Sequence, residues 1–146
     1  MKFMEEATKQ GCKAYSKEEI PIGAVIVKDN KIIAKAFNKR EKTQIATHHA
    51  EVLAINKACK KLKSWRLDNC DIYVTLEPCP MCAGAIMNAR IKNVFFAVSD
   101  LDNGGYSRFN IFKNTLNHSA ECTQVKEFEE ENKKLIQSFF KKHRKK

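Results

Sequence analysis

The chain has 146 residues, a length that fits one domain and leaves little room for two. Hydrophobic residues make up 43% and charged residues 30%, which argues against a disordered chain, and no apolar run reaches the roughly 18 residues of a membrane-spanning helix. The first residues lack the apolar segment of a signal peptide, so we expect a cytoplasmic protein with reduced thiols.

The charge of the chain indicates a class of binding partner, and its cysteine content indicates what the thiols do. Lys and Arg together number 27 against 17 acidic residues, a formal net charge of +10. Such an excess favours a polyanionic partner, with nucleic acid as the first candidate, although a generally lysine-rich composition would produce it as well. The six cysteines indicate metal ligation or burial rather than a disulfide framework, because a reducing compartment disfavours disulfides.

The periodicity of apolar residues predicts a series of helices and strands. In chain order these are a helix over 3–16, strands over 20–27 and 32–38, a helix over 49–62, a strand over 71–76, a helix over 79–90, a strand over 94–98, a short helix over 108–116 and a last helix over 125–140. Strands alternate with helices after an opening hairpin, which predicts a three-layer α/β/α domain with a mixed sheet. We expect one domain over residues 1–146, with a basic tail at about 141–146.

Two short segments contain residues suited to metal chemistry. His49-Ala50-Glu51 opens one predicted helix, and Pro78-Cys79-Pro80-Met81-Cys82 opens the next. Cys79 and Cys82 are three residues apart, so they share a helical face and can bind one ion. The positive end of that helix favours the thiolate form that binds metal.

The ligand count predicts an open site rather than a structural one. Two thiolates and the imidazole of His49 provide three ligands, whereas zinc prefers four, so the fourth position is left to water. Glu51 is the candidate base for that water. His48 lies outside the H-x-E pattern and is expected to be a loop residue. An H-x-E segment followed by P-C-x-x-C is typical of zinc deaminases.

At these residues the sequence resembles the cytidine/deoxycytidylate deaminase superfamily and, within it, the bacterial tRNA-specific adenosine deaminases. The resemblance runs from about residue 20 to 140 and includes the segments 21–25, 73–79 and 81–86 together with Asn38 and Asp100. It implies a cytidine-deaminase-like fold with a mixed five-stranded sheet, a homodimer with one Zn²⁺ per subunit, and deamination of adenosine to inosine at the wobble position of a tRNA anticodon.

The same resemblance assigns roles to individual residues. His49, Cys79 and Cys82 would hold zinc, and Glu51 would move the proton during catalysis. Asn38 would hydrogen-bond the purine ring, and the loop that carries Asp100 would lie near the ribose of the substrate.

Two other functions remain open at this point. A deaminase acting on a free base or nucleoside, of the cytosine or guanine type, would use the same zinc chemistry, although the net charge argues against it. A zinc-stabilised RNA-binding module without catalysis is the other, and Glu51, which is not a ligand, argues against that. An anticodon loop suits the site because its bases are unstacked, and the basic residues at 141–146 would hold its backbone unless they form only a solvated tail.

Overall fold

The computed structural model describes residues 2–143, which form a five-stranded sheet between two layers of helices. The elements in chain order are α1 (Lys2–Ser16), β1 (Gly23–Lys28), β2 (Lys31–Phe37), α2 (Arg40–Thr43), α3 (Ala50–Leu62), β3 (Cys70–Leu76), α4 (Pro80–Asn88), β4 (Asn93–Val98), β5 (Glu121–Gln124) and α5 (Glu129–His143). A single 3-10 turn over Lys126–Phe128 precedes α5. Within the described residues, every helix is too short or too polar to cross a membrane.

The sheet has the strand order β2-β1-β3-β4-β5 and is mixed, as expected. β1 pairs antiparallel with both β2 and β3, whereas β3, β4 and β5 run parallel. The helical crossover between β3 and β4 accounts for their parallel direction, because a parallel neighbour cannot be reached by a tight turn. The three-layer α/β fold predicted from the sequence is confirmed.

Both faces of the sheet are covered, which explains the continuous apolar sequence of β1. Ala24 and Ile26 pack into the core under α3 and α4, and Val25 and Val27 pack into the core on the side of α1. Alternate residues of a strand point to opposite faces, so a strand that is buried on both sides has no polar alternation.

The strand directions bring several chain ends to one edge of the sheet. β3 ends there at Leu76, and β1, which is antiparallel to it, begins there at Gly23. Gly23 is in turn paired with Phe37, the last residue of β2. The segments around 20–22, 38–40, 77–79 and 99–105 therefore meet at this edge, where α/β proteins commonly bind ligands.

The prediction of a short helix over 108–116 is wrong. The chain there forms consecutive turns, and Asn110 and Asn114 have positive φ angles of 49° and 52°, which a right-handed helix does not admit. The apolar periodicity did not predict α2, which has only four residues. It did not predict β5 either, because none of the four residues of that strand is fully buried.

Candidate metal centre and active site

The two predicted motif segments meet at the edge of the sheet just described. His49 is the N-cap of α3 and Cys79 is the N-cap of α4, and both have extended backbone angles (φ −77°, ψ 156° and φ −69°, ψ 171°). Pro80 occupies the first turn of α4, where its missing N–H breaks no helical hydrogen bond. Two helix N-termini therefore present the motif side chains to each other.

His49, Cys79 and Cys82 form a compact set of possible metal ligands. His49 Nδ1 lies 3.7 Å from Cys79 Sγ and 3.5 Å from Cys82 Sγ, and the three atoms are all within 4.8 Å of one another. A tetrahedral zinc with ordinary bond lengths would separate the nitrogen from each sulfur by about 3.6 Å. The arrangement therefore fits a zinc ion with one coordination position left over.

The two cysteines differ in acidity. The hydrogen bond from the Cys82 thiol, followed by that of His49, lowers the pKa of Cys79 to about 4. The same hydrogen bond between the thiols, together with burial, raises the pKa of Cys82. The pKa of His49 is raised, mainly by its hydrogen bond with Cys79, while the nearby charge of Arg40 acts in the opposite direction. The thiolate needed for metal binding is thus already present at Cys79.

Glu51 lies in the first turn of α3 and is 4% exposed. Burial raises the pKa of its carboxyl group to about 7, and the charge on Cys79 adds to the effect. A carboxyl group with a pKa near neutrality can both accept and release a proton under working conditions. Residues two apart on a regular helix point in different directions. His49 and Glu51 can still face the same site, because His49 is the N-cap with an extended backbone and not a residue of the regular helix.

His48 is not part of the ligand set, although it is adjacent to His49. Its Nδ1 atom is buried and has no hydrogen-bond partner within the range 2–143.

Asn38 lies beside the ligand set and lines a small cavity of about 80 Å³. The other lining residues are Ile20, Ile22, Arg40, His49, Ala50 and Glu51. The Oδ1 atom of Asn38 accepts a hydrogen bond from the backbone N–H of Arg40 at 3.1 Å, and its Nδ2 donates to the carbonyl of Ile20 at 3.4 Å. One N–H of the amide stays available to the cavity.

Asp100 does not line this cavity. Its carboxylate instead stabilises the turn that follows β4. Oδ1 of Asp100 accepts a hydrogen bond from the backbone N–H of Asn103 at 3.1 Å. The loop itself packs beside the ligands, because the backbone N–H of Gly105 donates to the carbonyl of Pro78 at 2.7 Å.

Two buried carboxylates near the site were not found from the sequence. Glu77, 2% exposed, accepts hydrogen bonds from the backbone N–H groups of Asp100, Tyr106 and Ser107. Glu19, 1% exposed, accepts hydrogen bonds from two backbone N–H groups of α2. The burial of such carboxylates is hard to predict from the sequence, because an acidic residue next to an apolar run is ordinarily exposed.

Comparison with known proteins now identifies the chain. The family model of MafB19-like deaminases matches residues 1–144. The chain belongs to this family. It is 44% identical to a tRNA-specific adenosine deaminase of Bacillus subtilis over 146 residues, which cover 99% of this chain and 90% of that protein. The predicted resemblance to these deaminases is confirmed.

Two solved structures bear on the fold. One, from a study of A-to-I editing by tRNA:A34 deaminases, superposes with a TM-score of 0.87 at 37% identity and covers 92% of this chain and 98% of that one. A guanine deaminase from Bacillus subtilis superposes with a TM-score of 0.66 at 47% identity, covering 69% of this chain and 65% of that one. The similar structures thus include one from a study of tRNA:A34 deaminases and one named as a guanine deaminase.

Proposed function

We propose that this protein converts adenosine to inosine at the wobble position of a tRNA anticodon by hydrolysis. The observation that carries the proposal is the buried carboxyl group of Glu51 beside three candidate metal ligands, in a chain similar over nearly its full length to tRNA-specific adenosine deaminases. This constellation supports an open catalytic site, because a purely structural zinc site needs a fourth ligand and no free carboxyl group.

We propose His49, Cys79 and Cys82 as the ligands of one Zn²⁺ per subunit. When bound, the ion would act as a Lewis acid that makes a water molecule a nucleophile near neutral pH. We propose that Glu51 accepts a proton from the attacking water and delivers it to N1 of the adenine. It would then take the proton of the hydroxyl group now on C6 and pass it to the amino group, which leaves as ammonia while the C6 carbonyl forms. Its pKa of about 7 suits both directions of transfer.

We propose that Asn38 orients the base through the amide N–H left free by its two backbone hydrogen bonds. Asp100 is proposed to act indirectly, because its side chain holds the turn of the loop rather than facing the cavity. That loop exposes Tyr106 and Phe109, which are 43% and 52% exposed, beside the edge where the substrate enters.

The net charge of +10 supports a tRNA partner, since Lys and Arg neutralise backbone phosphates. Lys141, Lys142 and His143 of the predicted basic tail form the last turn of α5. The remaining three residues, 144–146, lie outside the described residues. We propose that the chain works as a single domain whose basic C-terminal end contacts RNA.

A homodimer is proposed through the outer face of α4. That helix is almost entirely apolar, yet Met81 on it is 38% exposed. A shallow groove of about 220 Å³ runs beside it and is bordered by Trp65, which is 60% exposed. A second copy of this chain would cover these apolar side chains, whose exposure is otherwise unfavourable.

The cytoplasm is the proposed location. All six cysteines are free, and Cys12 is exposed, which suits a reducing compartment.

The decisive experiment incubates the zinc-loaded protein with total tRNA and sequences the anticodons for conversion of adenine to inosine. Conversion by the wild type and none by Glu51→Gln supports the proposal. The guanine deaminase similarity favours one second candidate, a deaminase acting on a free base of the guanine or cytosine type. Ammonia release from a free base, with none from an anticodon stem-loop, would select that candidate.

A further inference from the structure

The cavity beside the metal ligands is too small for a whole nucleotide. Its volume of about 80 Å³ is below the ~150 Å³ of a protein cavity that holds benzene. The sugar and the phosphates of a nucleotide whose base faces the ligands therefore stay at the mouth. Groups at the mouth must then distinguish a nucleotide within RNA from a free base.

Arg40 supplies a cation at this mouth. It lines the cavity together with Asn38 and His49, and its side chain is 42% exposed. Within residues 2–143 its one ion pair is with Glu41, with Nε 3.5 Å from Oε2, so this pair does not use the terminal Nη groups of the guanidinium. A guanidinium group presents parallel N–H donors that match the oxygens of a phosphate.

The position of Arg40 depends on Glu19. Arg40 is the first residue of α2, and a helix of four residues cannot hold itself together in water. Oε1 of Glu19 accepts a hydrogen bond from the backbone N–H of Glu41 at 3.0 Å, and Oε2 accepts one from that of Lys42 at 2.8 Å. Glu19 is 1% exposed, and both its oxygens are used in this way. The buried carboxylate thus fixes the helix at the edge of the cavity.

We propose that Arg40 binds a phosphate next to the target nucleotide and thereby selects RNA over a free base, with Glu19 as the positioning residue that holds α2 in place. This inference rests on the proposed function.

The test measures kcat and KM on an anticodon stem-loop over a series of salt concentrations. For Arg40→Gln we expect KM to rise about tenfold with kcat changed less than twofold, because a charge-assisted hydrogen bond to substrate is lost. The slope of log(kcat/KM) against log salt should become shallower by about 0.7, the value for one phosphate contact on single-stranded nucleic acid. Arg40→Lys keeps the charge and should restore the slope while recovering KM only in part.

Lys31→Gln is the matched control, since it removes one exposed positive charge from the start of β2, which pairs with the opposite end of β1. It should leave KM and the salt slope as in the wild type. A wild-type KM and slope in Arg40→Gln would overturn the inference, while a wild type inactive on the stem-loop would overturn the proposed function itself.

Glu19→Gln tests the positioning role. A glutamine places an amide N–H₂ group against a backbone N–H, so α2 should lose one of its two anchors. We expect a raised KM, unchanged kcat and full zinc content, and no further rise in KM when Arg40→Gln is added, because both changes remove the same contact. A fall in kcat or zinc content, or additive effects on KM, would show that Glu19 supports the fold rather than Arg40.

Discussion

Ser107 donates two hydrogen bonds to the buried carboxylate of Glu77, one from its backbone N–H to Oε2 at 2.6 Å and one from its hydroxyl to Oε1 at 2.7 Å. Glu77 follows β3 and comes just before Pro78 and Cys79. The two hydrogen bonds from Ser107 therefore attach the loop after β4 to the segment that carries Cys79, a proposed metal ligand. A Cβ atom at Gly104 would overlap the same carboxylate, which explains why glycine is needed there.

Glu77→Gln should therefore destabilise the fold. The glutamine N–H₂ would face backbone N–H donors, and we expect the free energy of unfolding to fall by about 2–3 kcal/mol. Ser107→Ala removes the hydroxyl alone and should cost about 1 kcal/mol. Urea unfolding measures both, with Glu127→Gln as the exposed control. A Glu77→Gln protein as stable as that control would contradict this account.

Glu51→Gln should abolish turnover while leaving the metal in place. The variant keeps the size of the side chain but cannot move a proton, so we expect kcat to fall by at least about 10²–10⁴-fold. Zinc content, measured by elemental analysis, should stay at the wild-type level, whereas His49→Ala should lose the ion. Retained turnover in Glu51→Gln would remove Glu51 from the reaction.

The stability of the metal-free protein should depend on pH through Glu51. Burial raises the pKa of this group to about 7 in the folded state, against about 4.3 in an unfolded chain. Between these values Glu51 carries more protons in the folded state than in the unfolded state, so its contribution to the free energy of unfolding falls as pH rises through this window. That contribution should decrease by about 3–4 kcal/mol, while the lowered pKa of Cys79 makes a contribution of opposite sign over the same range.

Urea titrations of the metal-free protein at pH 4.5, 5.5, 6.5 and 7.5 measure this dependence. Because the glutamine side chain does not titrate, the difference in stability between wild type and Glu51→Gln isolates the contribution of Glu51, and the wild type should lose stability relative to the variant as pH rises. The same slope in wild type and variant would assign the dependence to other groups.

Removal of the metal should expose a reactive thiolate. The pKa of Cys79 is lowered to about 4, while that of Cys122 is raised to about 12 by burial. Iodoacetamide at pH 6 should therefore label Cys79 first in the metal-free protein, as read by mass spectrometry of peptides. Zinc should suppress this labelling, and equal labelling of Cys79 and Cys122 would contradict the predicted difference in acidity.

The proposed dimer can be tested at Trp65. Trp65→Asp places a charge on the apolar groove beside α4 and should shift the protein from dimer to monomer in sedimentation velocity. Leu116→Asp is the matched control, since Leu116 is 50% exposed in a turn outside that groove. A wild type that sediments as a monomer would overturn the dimer itself.

The sequence alone determined which residues to consider for the candidate metal site, and it predicted most of the fold. Spacing identified His49, Glu51, Cys79 and Cys82, because ligand type and helical periodicity are local properties of the chain. The same periodicity placed the four long helices α1, α3, α4 and α5 and the strands β1 to β4 within a few residues of their observed limits, since their apolar patterns are long.

The tertiary structure decided what depends on residues distant in sequence. β5 becomes a strand only because the edge of β4 is there to pair with it. Glu19 and Glu77 are buried only because backbone N–H groups from more than twenty residues away meet their carboxylates, which no local pattern encodes. The turns after Asp100 likewise follow from a backbone contact with Pro78, so the position of this loop beside the candidate ligands was visible only in the folded chain.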